Sequence, residues 1–350
     1  MPLLAVLWLT ASVWSYIAIS PNNRWVAMSL SSAPIGWRIL VSDPILPHTL
    51  YANIGNDAVG ISADGGRNWR TLPFAPLFVE AIAVSIRPGR TLYVLTVTPG
   101  GEGPPQWQLH RTRDNGMTFT VQNIDQPISG TIQSLAVDSV NANMVYIGLD
   151  QCLGFCEGGV IRSSDGGQTW SATALQGFTI LGLQTDPLFA GTAYAMASDS
   201  TGVRSLYRTM DSGDTWTKLQ VDSIISLAID PDASATIYAL DDAGLLRSIN
   251  RGSQWSLISS MVSGSISGDA IAVDPTNPLT LVYVSSVRAQ ALLSRDSGST
   301  WVDISDGLSL RDVTLYDVLF TPDGSLFGRS FDRGVTAWLT ITRHRAAAPK

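Results

Sequence analysis

The chain has 350 residues and a formal net charge of −7 at pH 7. This length allows two or three ordinary domains, and the acidic balance argues against nucleic acid as the natural partner, since proteins that bind nucleic acid usually carry a basic patch or stripe.

The first twenty residues contain no charged side chain, and an apolar run extends over residues 3–13. Secretory signals have a basic region before such a run, and none is present here, while the run is short for a membrane span. Three interpretations remain open for residues 1–15: a signal peptide, an uncleaved anchor, or a buried or truncated start. Further along, residues 16–19 and 25–28 are predicted as strands.

An eight-residue pattern, Ser/Thr-x-Asp-x-Gly-x-Thr-Trp, then recurs six times. Its copies span residues 62–69, 112–119, 163–170, 209–216, 248–255 and 294–301. The third position is Asp64, Asp114, Asp165, Asp211, Asn250 and Asp296 in turn, and Phe119 replaces the Trp of the second copy. A recurrence at a period of about 40 to 50 residues is the signature of a propeller or solenoid.

The residue types of each copy indicate a tight turn between two strands. A short carboxylate accepts backbone N–H groups, the glycine takes a positive φ, and the aromatic residue begins the next strand with a large apolar surface. The predicted role of these aspartates is therefore structural. The copies resemble the Asp-box, or bacterial neuraminidase repeat, of sialidases, xyloglucan-type glycoside hydrolases, sortilin-type receptors and photosystem II assembly propellers. That resemblance implies a β-propeller and says little about activity.

A second repeated element, a short apolar run followed by a turn, predicts the number of blades. It occurs seven times, at residues 40–44, 86–88, 137–139, 185–187, 229–231, 272–275 and 320–322. The last unit has no box and reads as only the second and third strands of a blade. We therefore predict an all-β, seven-bladed propeller over residues 16–342, closed by an N-terminal strand that removes exposed sheet edges, followed by a disordered tail at 343–350.

Cys152 and Cys156 lie in a glycine-flanked segment and are predicted to form a disulfide in an oxidising compartment, with free thiols or a metal site as alternatives. The histidines His48, His110 and His344 lack ligand spacing, so no metal and no cofactor are expected.

Ligand binding is predicted on the face opposite the boxes, where the connecting loops differ in length and sequence. The candidate loops are residues 98–107, 150–157, 198–204 and 286–290, and the candidate ligand-binding residues are Trp107, Phe155, Arg204 and Arg288. Trp107 and Phe155 offer a stacking surface for a sugar or peptide. In the alternative, each covers the edge of its own blade.

The resemblance also implies what an enzyme would need. Sialidases carry an Arg-Ile-Pro motif, an arginine clamp on a carboxylate and a Tyr–Glu pair, whereas residues 86–88 have the wrong order and the glutamates number only three, Glu80, Glu102 and Glu157. A xyloglucan-type hydrolase would need two carboxylates across a cleft, and the candidates for such a pair are Asp241, Asp242, Asp269, Asp306 and Asp312.

The residues favour a non-catalytic, monomeric propeller, exported to the cell envelope or beyond, that binds a protein or a glycan. A membrane contact is expected only through an N-terminal anchor. The alternative is a glycoside hydrolase.

Overall fold

The computed structural model describes residues 26–27, 39–54, 58–73, 78–85, 89–98, 106–124, 131–150, 158–260, 262, 269–306, 314–332 and 335–341. Within these ranges every regular element is a β-strand. None of the described residues forms a helix long and apolar enough to cross a membrane.

The first thirteen strands are β1 (Val26–Ala27), β2 (Leu40–Ser42), β3 (Leu50–Ile54), β4 (Ala58–Ser62), β5 (Arg70–Thr71), β6 (Phe78–Ser85), β7 (Thr91–Thr98), β8 (Gln106–Thr112), β9 (Thr120–Asn123), β10 (Ile132–Val137), β11 (Val145–Leu149), β12 (Gly159–Ser163) and β13 (Ser171–Gln176). The remaining strands are β14 (Thr179–Thr185), β15 (Ala193–Ser198), β16 (Arg204–Thr209), β17 (Thr217–Asp222), β18 (Ser226–Ile229), β19 (Ile237–Leu240), β20 (Leu245–Ser248), β21 (Ser256–Ser259), β22 (Asp269–Val273), β23 (Leu281–Ser285), β24 (Gln290–Ser294), β25 (Val302–Asp303), β26 (Thr314–Phe320), β27 (Leu326–Asp332) and β28 (Val335–Ile341).

The strands form antiparallel sheets of four, and the prediction of an all-β propeller is confirmed. Six sheets use four consecutive strands each and are called blades 1 to 6: β2–β5, β6–β9, β10–β13, β14–β17, β18–β21 and β22–β25. A further sheet has the order β1-β28-β27-β26 and so combines the two ends of the described chain. Its C-terminal part has three strands where two were predicted, and β1 lies within the predicted strand 25–28. The predicted strand at 16–19 and the tail at 343–350 lie outside the described residues.

The apolar core lies between the blades. One cluster joins Tyr51 and Leu72 of blade 1 to Ile82, Leu92 and Val94 of blade 2, and the same arrangement recurs around the molecule. The second strands of blades 1 to 6 are largely buried on both faces, and β3, β11, β19 and β23 are therefore nearly continuous apolar runs. Each blade therefore buries its side chains mainly against its neighbours, as expected of a repeat protein.

Buried carboxylates in the first turn of the blades also link neighbours. Asp43 and Asp138 are fully buried. Asp43 Oδ2 lies 3.1 Å from Arg90 Nη1 in blade 2, and Asp138 Oδ2 accepts the Gly191 N–H of blade 4 at 2.7 Å. These turns explain why an apolar run ending in Asp repeats: the carboxylate satisfies its own turn and part of the next blade.

Arginines reach in the same direction, from one blade to the box of the next. Arg208, just before the fourth box, donates through Nη1 to the carbonyl of Arg251 in the fifth box at 2.6 Å. In blade 1 the corresponding residue is Ile61, and its cross-strand neighbour Arg70 supplies the guanidinium, donating to the carbonyl of Asn115 at 3.0 Å. The same contact between blades is therefore made from two different strands.

Candidate functional site

The strand order gives the propeller two different faces. Consecutive antiparallel strands alternate in direction, so the first turn of a blade and its box lie on one face, here called the box face. The connections between second and third strands, and those from one blade to the next, lie on the other, here called the variable-loop face. The first strands of blades 1 to 4 contact one another in order, as do those of blade 5, blade 6 and the additional sheet, and they form the inner side of the propeller.

On the box face, each box is satisfied internally. In the fourth box, Thr209 Oγ1 donates to Asp211 Oδ1 at 2.8 Å, and the Thr215 N–H donates to the same oxygen at 2.9 Å. Thr215 Oγ1 donates to Asp211 Oδ2 at 2.5 Å. These bonds, the one from the Thr215 hydroxyl foremost, lower the pKa of Asp211 to about 2. The carboxylate is ionised and its acceptors are used within the turn.

The same pattern recurs in the other boxes, at Asp64, Asp114, Asp165 and Asp296. Asn250 keeps the acceptor role, because its Oδ1 accepts the hydroxyl of Ser248 at 2.9 Å and the N–H of Gln254 at 2.9 Å. Phe119 packs partly buried against the cluster between blades 1 and 2. Both departures from the repeat therefore preserve the turn.

Three of the four predicted ligand-binding residues lie in the described part of the chain, one each in blades 2, 4 and 6. Trp107 is only 9% exposed and packs in the core with Leu95 and Leu109, a placement that favours the alternative in which it covers its own blade. Arg204 begins β16 and is half-buried, and Arg288 is exposed between β23 and β24. Phe155 and the cysteines Cys152 and Cys156 lie outside the described residues.

Two of the predicted carboxylates are held by hydrogen bonds within their own blades. Asp241 is buried and accepts the N–H groups of Ala243 at 2.9 Å and Gly244 at 2.8 Å, which makes it a turn residue. Asp269, 5% exposed, accepts the hydroxyl of Tyr283 at 3.2 Å and the N–H of Ser286 at 3.1 Å. Of the other three predicted carboxylates, Asp242 and Asp306 are exposed, and Asp312 lies outside the described residues.

Sequence reasoning missed a feature at the centre of the variable-loop face. The first strands of blades 2, 3 and 4 each contain a β-bulge near their start, between residues 79 and 81, 132 and 134, and 180 and 182. The extra residues are Glu80, Gln133 and Leu181, and all three are exposed. Together with Phe78 at the start of β6 they are called the crescent. The additional sheet has a corresponding shift between residues 315 and 317.

Blades 5 and 6 treat the corresponding position differently. This position lies five residues before the Asp that begins the first turn, and it is occupied by Ile225 in blade 5 and by Asp269 in blade 6. Neither β18 nor β22 has a shift in register, and Ile225 packs against an apolar cluster while Asp269 is buried. The exposed bulges therefore distinguish three adjacent blades from the two that follow.

A network of hydrogen bonds lies beside the crescent residue Gln133. Thr179 Oγ1 donates to Asp150 Oδ1 at 2.9 Å, and Gln133 Nε2 donates to Thr131 Oγ1 at 3.1 Å. Thr131 Oγ1 in turn lies 3.5 Å from Asp150 Oδ2. Asp150 thus joins the starts of β10 and β14 and places a carboxylate beside Gln133. No group of three or more potential metal ligands occurs among the described residues.

Comparison with known protein families finds no match. Among curated proteins, the photosystem II assembly lipoprotein Ycf48 of Synechococcus sp. (strain CC9902) is 26% identical over 207 residues, 58% of this chain and 52% of the relative. The chain thus matches about half the length of that relative.

Solved structures match more of the chain. A structure of YCF48 bound to a D1 peptide has 18% identity and a TM-score of 0.65, covering 95% of this chain and 99% of the other. YCF48 from Cyanidioschyzon merolae has 15% identity and a TM-score of 0.61, with 91% and 98% covered. The GH74 xyloglucanase from Xanthomonas campestris has 17% identity and a TM-score of 0.63, with 90% of this chain and 55% of the enzyme covered.

The resemblance predicted from the repeats is therefore confirmed at the level of the fold: the chain is an all-β propeller similar to Ycf48 and to the propellers of GH74 xyloglucanases.

Proposed function

We propose that the chain is a non-catalytic propeller that binds a segment of another protein through its variable-loop face. The observation that carries the proposal is the likeness to YCF48 bound to a D1 peptide, which extends over nearly the whole of both chains. The box aspartates add support, since their oxygens are used within their own turns and are not presented to a ligand.

Several finer features belong to the same proposal. The additional sheet acts as a seventh blade and closes the ring, supported by the hydroxyl of Ser42 in β2, which donates to the carbonyl of Phe320 in β26 at 3.3 Å. The chain works as a monomer, exported to the cell envelope, and a lipoprotein among its relatives supports that location. Arg204, Arg288 and Phe155 contribute to the binding face, and Cys152 pairs with Cys156.

The test is selection of binding partners from defined libraries by the purified full chain. A phage library of random dodecapeptides, a glycan array and a panel of fluorogenic glycosides, including a sialoside and soluble xyloglucan, would be presented to the same preparation. We expect enriched peptides and no glycoside turnover. Enrichment of glycans alone would replace the protein partner with a carbohydrate.

Glycoside turnover by the wild type that is lost in Asp242→Asn or Asp306→Asn would overturn the proposal that the chain is non-catalytic. Loss of turnover must occur without unfolding, which circular dichroism would check.

A further inference from the structure

We infer that the crescent, Phe78, Glu80, Gln133 and Leu181, is the binding site for an extended peptide segment that carries a lysine or arginine beside apolar side chains. The inference rests on the proposed function and names the part of the variable-loop face and the partner chemistry.

The first argument is the position of the bulges in the repeat. A bulge leaves one residue outside the ladder and turns its side chain in a new direction, and bulges are common beside binding sites. In blades 2, 3 and 4 the bulge residue is exposed. At the corresponding positions of blades 5 and 6, Ile225 is packed and Asp269 is hydrogen-bonded. The scaffold can bury this position, so its exposure in three adjacent blades is a local departure from the repeat.

The second argument is apolar exposure. Phe78 is 45% exposed and Leu181 is 43% exposed, and both lie at the starts of first strands that surround the centre. Covering such surface with apolar groups of a partner gains about 25 cal/mol per Å² removed from water. A partner with apolar side chains at two places along its length therefore fits this surface.

The third argument is charge. Glu80 is the acidic residue of the crescent. A second carboxylate, that of Asp150, lies near Gln133, because both side chains contact Thr131 Oγ1. Two positive side chains of blade 4 lie in its outer strands, Arg204 at the start of the third strand and Lys218 in the fourth strand, where it bonds to Asp222 at 2.9 Å. The chain as a whole carries −7. A cationic side chain in the partner complements this local charge, and such complementarity sets specificity and association rate more than affinity.

The fourth argument is the backbone. Each first strand is the edge strand of its sheet, and part of its outer row of N–H and C=O groups is bonded by side chains of the neighbouring blade, as the Leu183 N–H is by Ser134 Oγ at 3.0 Å. The bulge residues add further backbone groups outside the ladder. An extended segment can hydrogen-bond to such groups, as peptides do when they bind along a sheet edge.

The experiment uses the full chain and the phage library of random dodecapeptides. Enriched peptides would be synthesised with a fluorescein label, and their affinities measured by fluorescence anisotropy for the wild type and four variants. Glu80→Gln and Leu181→Ala change the crescent. Asp232→Asn and Leu257→Ala are the matched controls, since both residues are exposed in blade 5 away from the variable-loop face, Asp232 in the first turn and Leu257 in the fourth strand.

We expect enriched peptides to share a lysine or arginine next to Leu, Ile or Phe. Glu80→Gln should weaken binding about threefold and Leu181→Ala about tenfold, while each control changes it less than about twofold. A charge exchange guards against trivial loss of folding: Glu80→Arg should prefer the same peptide with its basic residue replaced by glutamate.

The two proposals fail in different ways. Enriched peptides that are acidic or neutral, or that bind equally to wild type, Glu80→Gln and Leu181→Ala, would overturn the crescent while leaving peptide binding intact. Absence of any enriched peptide from a folded, monodisperse preparation would overturn the proposed function and the crescent with it.

Discussion

Replacing Gly252 with alanine tests whether the boxes hold neighbouring blades together by close packing. Gly252 lies in the fifth box with a φ of +82°. A Cβ built there would lie 2.5 Å from Leu219 Cδ1 of blade 4, 3.2 Å from Trp255 Cζ2 and 3.3 Å from Ile237 Cδ1. Leu219 and Ile237 are buried, so neither side chain can move aside without disturbing the core between the blades.

The chain contains a matched control in Gly202, between β15 and β16. Its φ is +84°, and a Cβ there would meet no atom within 4 Å. Both substitutions place alanine in the left-handed region, at about 1 to 2 kcal/mol, partly offset by the reduced entropy of the unfolded chain. Only Gly252→Ala adds overpacking, which costs about 1 to 3 kcal/mol. The difference between the two variants should therefore be about 2 kcal/mol.

Urea unfolding followed by tryptophan fluorescence measures this difference, with the midpoints compared at a common slope. Equal destabilisation by Gly252→Ala and Gly202→Ala would refute the reasoning. It would mean that backbone conformation alone explains the recurring glycine of the box pattern and that the contact with blade 4 contributes nothing.

Three further predictions concern the polar links of the scaffold. Arg208→Ala leaves the Arg251 carbonyl without its charged donor and should lower the free energy of unfolding in urea by about 1.5 to 3 kcal/mol. The control Arg67→Ala, at an exposed box position, should lower it by less than about 0.5 kcal/mol. Equal losses in the two variants would rule out the link between blades. Asp138→Ala removes the acceptor of three backbone N–H groups, and the free energy of unfolding should fall by about 3 kcal/mol; a change below about 1 kcal/mol would contradict the buried role. The pKa of Asp211 is lowered from its ordinary value of about 3.8 to about 2, so the stabilisation by this carboxylate is present above pH 4 and is lost as the pH falls from 3.8 towards 2. Asp211→Asn should flatten that part of the stability profile, and an unchanged slope would count against the carboxylate's role.

Local turn chemistry explains why the fold could be predicted. In a box, the Asp, the glycine and the hydroxyl residues lie within eight positions of one another and form their bonds without help from distant segments. The buried carboxylates of the first turns act in the same way, as Asp138 shows by accepting the N–H groups of Val140 and Asn141 at 2.8 Å each. Because these two kinds of turn recur along the chain, the sequence alone predicts the propeller.

The site was harder to predict than the fold, because the exposure of a side chain depends on contacts that no local sequence pattern specifies. Trp107 has the residue type of a stacking surface, yet its ring packs in the core with Leu95 and Leu109. Glu80, Gln133 and Leu181 share no residue type, and only the register shifts against β7, β11 and β15 show that they occupy the same structural position. An inserted residue disturbs the alternation of a strand, so the inward and outward pattern cannot be followed through it.

By itself, the sequence determined the repeat, the turns that begin and end the strands, and therefore the propeller, since these depend on interactions between residues close in the chain. An N-terminal strand in the last sheet was predicted, but only the tertiary structure decided its register against β28, where Val26 lies opposite Thr340. It also decided which first strands bulge and which side chains lie exposed around the centre. Those outcomes depend on packing between blades far apart in sequence, and no local pattern of residue types specifies such packing.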